Sequence, residues 1–180
     1  MSTPSYPILR AAARLGTRLG LSNSMVLLGA IHEADDPGAA GIGEANRLYR
    51  AAAAKGNTQA MWSLGVNYLS SKGGETDHKQ AVEWIGRAAA GGHGMAAWAM
   101  GKMHLSGRVV DKNIELGLNL LKQSAASGFR DSGLLLAEIY RTGQYGVEVS
   151  EEAARNWLYV SLPLGERLLI RAGLARLETA

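Results

Sequence analysis

Four histidines, a row of arginines, two adjacent glutamates and a glycine-rich run are the residues whose types lend themselves to chemistry. His32 and His104 stand 72 residues apart, and His78 and His93 frame a predicted helix at its start and just past its end. Neither pair makes a metal site without a third ligand, and no HExxH or carboxylate–histidine spacing accompanies them. The chain has no cysteine, which excludes thiolate zinc sites, iron–sulfur clusters, disulfides and cysteine nucleophiles. Gly101-Lys102 fails as a phosphate loop, because Ala96 stands where the first glycine belongs and Met103 where a magnesium-binding hydroxyl belongs. The run Gly38 to Gly43 lacks the preceding strand and the final glycine of a dinucleotide fingerprint, and is read as an inter-helix loop. Glu151 and Glu152, adjacent on a helix, point about 100° apart and suit a solvated first turn better than paired acid–base work. No serine, histidine and acid constellation is recognisable. No catalytic residue, metal or cofactor is therefore expected.

Arg10, Arg14 and Arg18 form a basic row at helical spacing, with nothing acidic before Glu33. Two readings stay open for it, a solvated cap face and a contact with an anionic partner. Over the whole chain Lys and Arg exceed Asp and Glu by only 19 to 16, and the pI is near 9.3. Without a concentrated basic face this bias argues against a nucleic-acid partner. The N-terminus has no basic leader, and the longest apolar stretch, Met25 to Ile31, falls far short of the roughly 20 residues of a membrane span. With no cysteine for a lipid anchor either, the expectation is a cytoplasmic protein with no membrane partner.

The elements that must position these residues follow from composition and period. The chain has 180 residues, 28 of them Ala and 24 Leu against 15 Val or Ile, which favours helices over strands. Laid against itself with a shift of 36, it matches in three registers. Gly20, Gly56, Gly92 and Gly128 coincide, with Gly165 one residue late. Leu28, Gly29 and His32 fall on Leu64, Gly65 and Tyr68, then on Met100, Gly101 and His104, then on Leu136, Ala137 and Tyr140. Ala45 and Leu48 fall on Ala81 and Trp84, then on Gly117 and Leu120, and, after a one-residue insertion near Tyr145, on Ala154 and Trp157. Each unit reads as two helices. The first, such as Thr58 to Ser70, places Ala60, Leu64, Gly65 and Tyr68 on one stripe. The second, such as His78 to Ala90, gathers Ala81, Trp84, Ile85, Ala88 and Ala89, and ends at a glycine suited to the left-handed conformation. Asp77, Asn113 and Ser150 stand where a side chain caps the first turn, each worth about 1 kcal/mol.

The order Ala-x-x-x-Leu-Gly-x-x-Tyr, then a glycine-bearing loop, then Ala-x-x-Trp-x-x-x-Ala-Ala-x-x-Gly resembles the Sel-one-like repeat, a relative of the tetratricopeptide repeat, and Ala60 to Gly92 is the best copy. The departures are His32 and His104 at the Tyr position, Gly117 for Ala, Pro163 near the end, and a degenerate tail after Glu166. The resemblance implies an all-α fold, a right-handed α/α superhelix or solenoid of about ten short antiparallel helices. One repeat domain over 1–180 is expected, with a cap helix over 1–20, units at 21–56, 57–92, 93–128 and 129–165, and a second cap over 166–180.

On helical geometry Gln59, Trp62, Val66 and Leu69 project from the side opposite the packing stripe, and Met95, Trp98, Lys102 and Leu105 repeat the pattern. Asp131, Leu134, Glu138 and Arg141 supply the fourth unit. The resemblance makes this stripe the lining of a concave, partner-binding groove, with Trp62 and Trp98 as anchors; the alternative is that both indoles pack between repeats. Trp84, Trp157, His32 and His104 are assigned to the core. The helix Arg167 to Leu177, with Leu168, Leu169, Ile170, Leu174 and Leu177, is expected to cap the last unit and to leave surface for self-association. The function implied is a non-enzymatic module, a bacterial adaptor that binds another protein or peptide without a small-molecule cofactor. The alternative within the resemblance is a cognate immunity protein that neutralises a secreted toxin, and an enzyme is the most distant reading.

Overall fold

The computed structural model describes residues 7–70 and 76–171. They form α1 (Pro7–Arg18), α2 (Ser22–Asp35), α3 (Ala39–Ala53), α4 (Thr58–Leu69), α5 (His78–Ala90), α6 (Gly94–Ser106), α7 (Ile114–Ala126), α8 (Arg130–Thr142), a 3-10 turn (Gln144–Gly146), α9 (Glu151–Ser161) and α10 (Leu164–Arg171), with no strand among them. The fold is all-helical. The chain divides into two compact units, one ending at His93 and the other beginning at Gly94.

In the first unit α2 packs on α3 and α4 on α5, while α1 lies on α2 and α4 on α3. The glycines of the first register explain the repetition. Gly20, Gly56 and Gly92 take φ of +76°, +80° and +89°, which turns the chain from the end of one helical pair into the next. Gly165 does not share this conformation and lies inside α10. Polar side chains close the helix starts: Asn57 accepts from the Ala60 N–H and Asp77 from the Gln80 N–H. The run expected as a loop is mostly helix. Only Gly38 precedes α3, because the Asp36 carboxylate accepts from the N–H groups of both Gly38 (2.9 Å) and Gly41 (3.0 Å) and so starts the helix.

The core of this unit joins Met25, Ala45, Tyr49, Ala52, Ala60 and Leu64, and a neighbouring cluster joins Ala13, Leu28, Ile31 and Leu48. Inside the first of these lies a polar set. Asn67, only 5 % exposed, donates to Glu33 Oε1 at 2.6 Å and to Asn46 Oδ1 at 2.9 Å. Tyr49 is hydrogen-bonded to Glu33 and to Ser63; burial and then the charge of Glu33 push its phenol well above the usual range. Gly29 makes room for that ring, since a Cβ there would come within 2.6 Å of Tyr49 Cε1.

In the second unit α6 packs on α7 and α8 on α9, and α8 also lies on α7. Asn113 and Ser150 accept from the N–H groups of Leu116 and Ala153, as caps of the kind their positions predict. Gly128 repeats the left-handed turn at φ +89°. The core gathers Leu105, Leu121, Ala125, Leu136 and Ile139, with Leu118, Leu135 and Trp157 packed against it. Two fully buried serines adjoin it: Ser132 Oγ donates to Ser124 Oγ and Ser124 Oγ donates to the Gly94 carbonyl, each at 2.6 Å. The C-terminal helix starts at Leu164, and Tyr159 of α9 donates to its Arg167 carbonyl at 3.2 Å. Its described part buries none of its residues, and Leu164, Leu168 and Leu169 are exposed; Leu174 and Leu177 lie outside the described residues.

Candidate functional site

The packing stripe of α4 fixes the direction of its other face. Because Ala60 and Leu64 are fully buried, Gln59, Trp62, Val66 and Leu69 are turned away from the core, Gln59 exposed and the other three half-buried. Trp62 stacks on the His93 imidazole with ring centroids 5.6 Å apart and planes 17° from parallel. His93 Nε2 lies 3.1 Å from Gln59 Oε1. Burial lowers the His93 pKa from its usual value, which favours the neutral ring. The result is a π platform held from beneath by a residue of the following turn.

In the second unit Met95 is 39 % exposed, and Trp98 is half-buried against Phe129, with centroids 5.7 Å apart and an interplanar angle of 57°. The Lys102 ammonium lies 4.3 Å from the centroid of the Trp98 ring, a cation–π contact that holds the charge over the indole. Leu105 does not belong to this surface. It is 2 % exposed and lies in the core with Leu121 and Ile139, because the outward face of α6 narrows where α7 and α8 close over its last turn. On α8, Asp131, Leu134, Glu138 and Arg141 are exposed.

Besides a smaller one of about 220 Å³ at Phe129, Arg130, Pro163 and Arg167, two depressions open in this unit. A cleft of about 440 Å³ is bounded by Trp98 and Lys102 of α6, Arg108 and Val109 of the following turn, Leu135 of α8 and Tyr145. Tyr145 has φ +59°, a left-handed conformation that costs a non-glycine residue about 1 kcal/mol, and it sits at the one-residue insertion in the repeat. The second, of about 500 Å³, brings Leu134, Glu138 and Arg141 of α8 together with Glu151, Arg155 and Leu158 of α9. Sequence reasoning missed Arg108, Val109 and Tyr145, which stand in turns outside the helical stripe, although the insertion marked the place.

Other expectations need correction. Arg10 is paired with Asp35, so the basic row on α1 keeps only Arg14 and Arg18 as exposed cations. Trp84 and Trp157 are half-buried at the rim of their cores, with the Arg87 guanidinium 4.8 Å over the Trp84 ring. His32 and His104 are half-buried too, and His104 Nδ1 lies 3.1 Å from the Asp111 carbonyl. Among the described residues no three His, Asp or Glu side chains converge as metal ligands, and no helix is long and apolar enough to cross a membrane. What the two faces offer is aromatic and aliphatic surface edged by fixed polar groups, suited to non-covalent recognition.

Comparison with known proteins bears on this arrangement. The Sel1 repeat matches residues 22–57, 58–93, 94–129 and 134–159, within two residues of the first three expected units and shorter in the fourth. No curated protein sequence matches the chain. Among solved structures, a Sel1 repeat protein from Oxalobacter formigenes is 20 % identical with a TM-score of 0.75, over 91 % of this chain and 48 % of that one. A protective antigen present in uropathogenic Escherichia coli strains, displaying an SLR fold, is 24 % identical with a TM-score of 0.72, over 92 % of this chain and 37 % of that one. The chain thus spans less than half the length of either solved relative. These likenesses concern the fold. The repeat itself accounts for most of the sequence, and the chain belongs to the Sel1 repeat family.

Proposed function

We propose that this protein is a non-enzymatic binding module of the adaptor type, which recognises a protein or peptide through the outward faces of its first-of-pair helices. Sel1 repeat proteins are in general protein–protein interaction modules. One observation carries the reading here: Trp62 and Trp98, at equivalent positions of two repeats, are each left half-covered and steadied by side chains that the repeat does not require, His93 and Gln59 for one and Lys102 for the other. Tryptophan is among the residue types enriched in the anchors of protein interfaces.

The test is affinity purification from the native cell with the wild-type chain beside Trp62→Ala and Trp98→Ala variants. Each variant is expected to keep its helicity and to weaken capture of the partner by about 2 kcal/mol. A partner retained unchanged by both variants overturns the reading. A single tight one-to-one complex, instead of two weaker partners, would favour a neutralising role over an adaptor.

A further inference from the structure

We propose that the cleft beside Trp98 receives an acidic peptide segment of the partner, an inference that rests on the protein-binding reading and gives its ligand a chemical class. The cleft beside Trp98 and the depression between α8 and α9 differ in charge, while the smaller hollow of about 220 Å³ at Arg130 and Arg167 is free of carboxylates too but has no more than about half the volume of either. The one between α8 and α9 sets Glu138 and Glu151 against Arg141 and Arg155, and so selects no sign. The cleft between Trp98 and Tyr145 has Lys102 and Arg108 on its walls and no carboxylate among its lining residues. Glu138, on the neighbouring helix, lines the other depression.

Apart from Ser106 the rest of the cleft is mainly apolar. Val109 and Tyr145 are 41 % and 42 % exposed, and Leu135 is half-buried beneath them, giving a seat for one aliphatic or aromatic side chain between the two cations. Its volume of about 440 Å³ suits a short segment rather than a folded surface. Lys102 is held over the Trp98 indole, which reduces the freedom it would lose on meeting a carboxylate. Tyr145 keeps its left-handed backbone at a position where glycine would relieve the strain, and its ring forms part of the wall.

The experiment follows the Trp98 indole N–H signal by NMR, assigned through its loss in Trp98→Phe, during titration of the full chain with a capped hexapeptide of alternating glutamate and leucine. A second hexapeptide carries glutamine in place of each glutamate. The acidic peptide is expected to move the Trp98 signal with a Kd of about 1 mM or tighter, and to weaken as salt is raised. Arg108→Glu, at an exposed position, should weaken it at least about fivefold. Tyr145→Gly should weaken it too while the melting temperature stays level or rises, separating ligand contact from folding. Equal response to the glutamine peptide, an unchanged affinity in Arg108→Glu, or a Trp98 signal that neither peptide moves would each overturn the proposal. Failure of the broader reading shows elsewhere, as a native partner that both tryptophan variants retain.

Discussion

The helices α2, α3 and α4 of the first unit and α6, α7 and α8 of the second occupy the same places in the repeat, 72 residues apart, yet they solve the same packing problem with opposite chemistry. Glu33, Asn46, Tyr49, Ser63 and Asn67 meet in the first through hydrogen bonds. Their counterparts in the second are Leu105, Leu118, Leu121, Leu135 and Ile139, which pack as one apolar cluster. The exchange also runs the other way at two small positions, where Ala52 and Ala60 of the first unit become the bonded Ser124 and Ser132 of the second. Size is not matched site by site: the large Tyr49 with the small Ser63 is answered by Leu121 with Leu135. The repeat therefore imposes shape, and polarity is free to vary provided that every buried polar atom finds a partner.

The strongest way to probe this contrast is Leu105→Ala. It should cost about 3 kcal/mol in equilibrium denaturation through an unfilled core space, while binding per folded molecule stays unchanged. A loss of binding without a loss of stability would return Leu105 to the surface face. Next in size, Asn67→Ala should cost about 2 kcal/mol, because it strips Glu33 and Asn46 of the donor they share. Converting the whole polar set to the leucine and isoleucine of its counterpart should instead cost less than the sum of the single replacements, since no buried polar atom of the set is left without a partner. If the fivefold replacement costs as much as the sum of its parts, the two junctions are not interchangeable.

The smallest effect concerns His93, whose counterpart 36 residues on is Phe129, an aromatic that cannot titrate. The folded state lowers the His93 pKa by burial, so the unfolded chain takes up the proton first as pH falls. Stability should be unaffected well above about pH 6.5, decline as the pH falls through that value, and reach its full loss once the folded value is passed. The NMR titration of the His93 ring checks this directly, and His93→Gln should remove its share of the slope. A midpoint at or above the ordinary histidine value would contradict the burial.

Much of the fold was legible in the sequence because the signals are local. The second-of-pair helix His78–Ala90 is bounded as its periodicity and its Asp77 cap predict, and the first-of-pair example ends one residue early, at Leu69. Four of the five phased glycines mark left-handed turns. What escaped depends on partners distant in the chain. Nothing near Arg10 announces Asp35, 25 residues on, and nothing near Asn67 announces Glu33, 34 residues back. Leu105 was misread for the same reason, since its helix phase is shared with outward residues and only the closure of α7 and α8 turns it inward. The run Gly38 to Gly43 reads as a loop through its glycines, and the Asp36 carboxylate overrides them from Ala39 on. On the candidate surface, the helical stripe found Trp98 and Lys102 but not Arg108, Val109 or Tyr145, because a 3.6-residue period carries no information about turns.

The extra residue at Tyr145 shows how such a chain tolerates a change of length. Within a helix, one added residue would rotate everything after it by about 100° and present the wrong side chains to the interior. Here the surplus falls in a turn and is absorbed by left-handed torsions at Gly143, Tyr145 and Gly146, after which Ser150 starts the next helix and Ala154 regains its buried place. Additions at the joints are thus nearly free of consequence downstream, and the molecule can acquire a new contour at its rim without rebuilding what lies beneath.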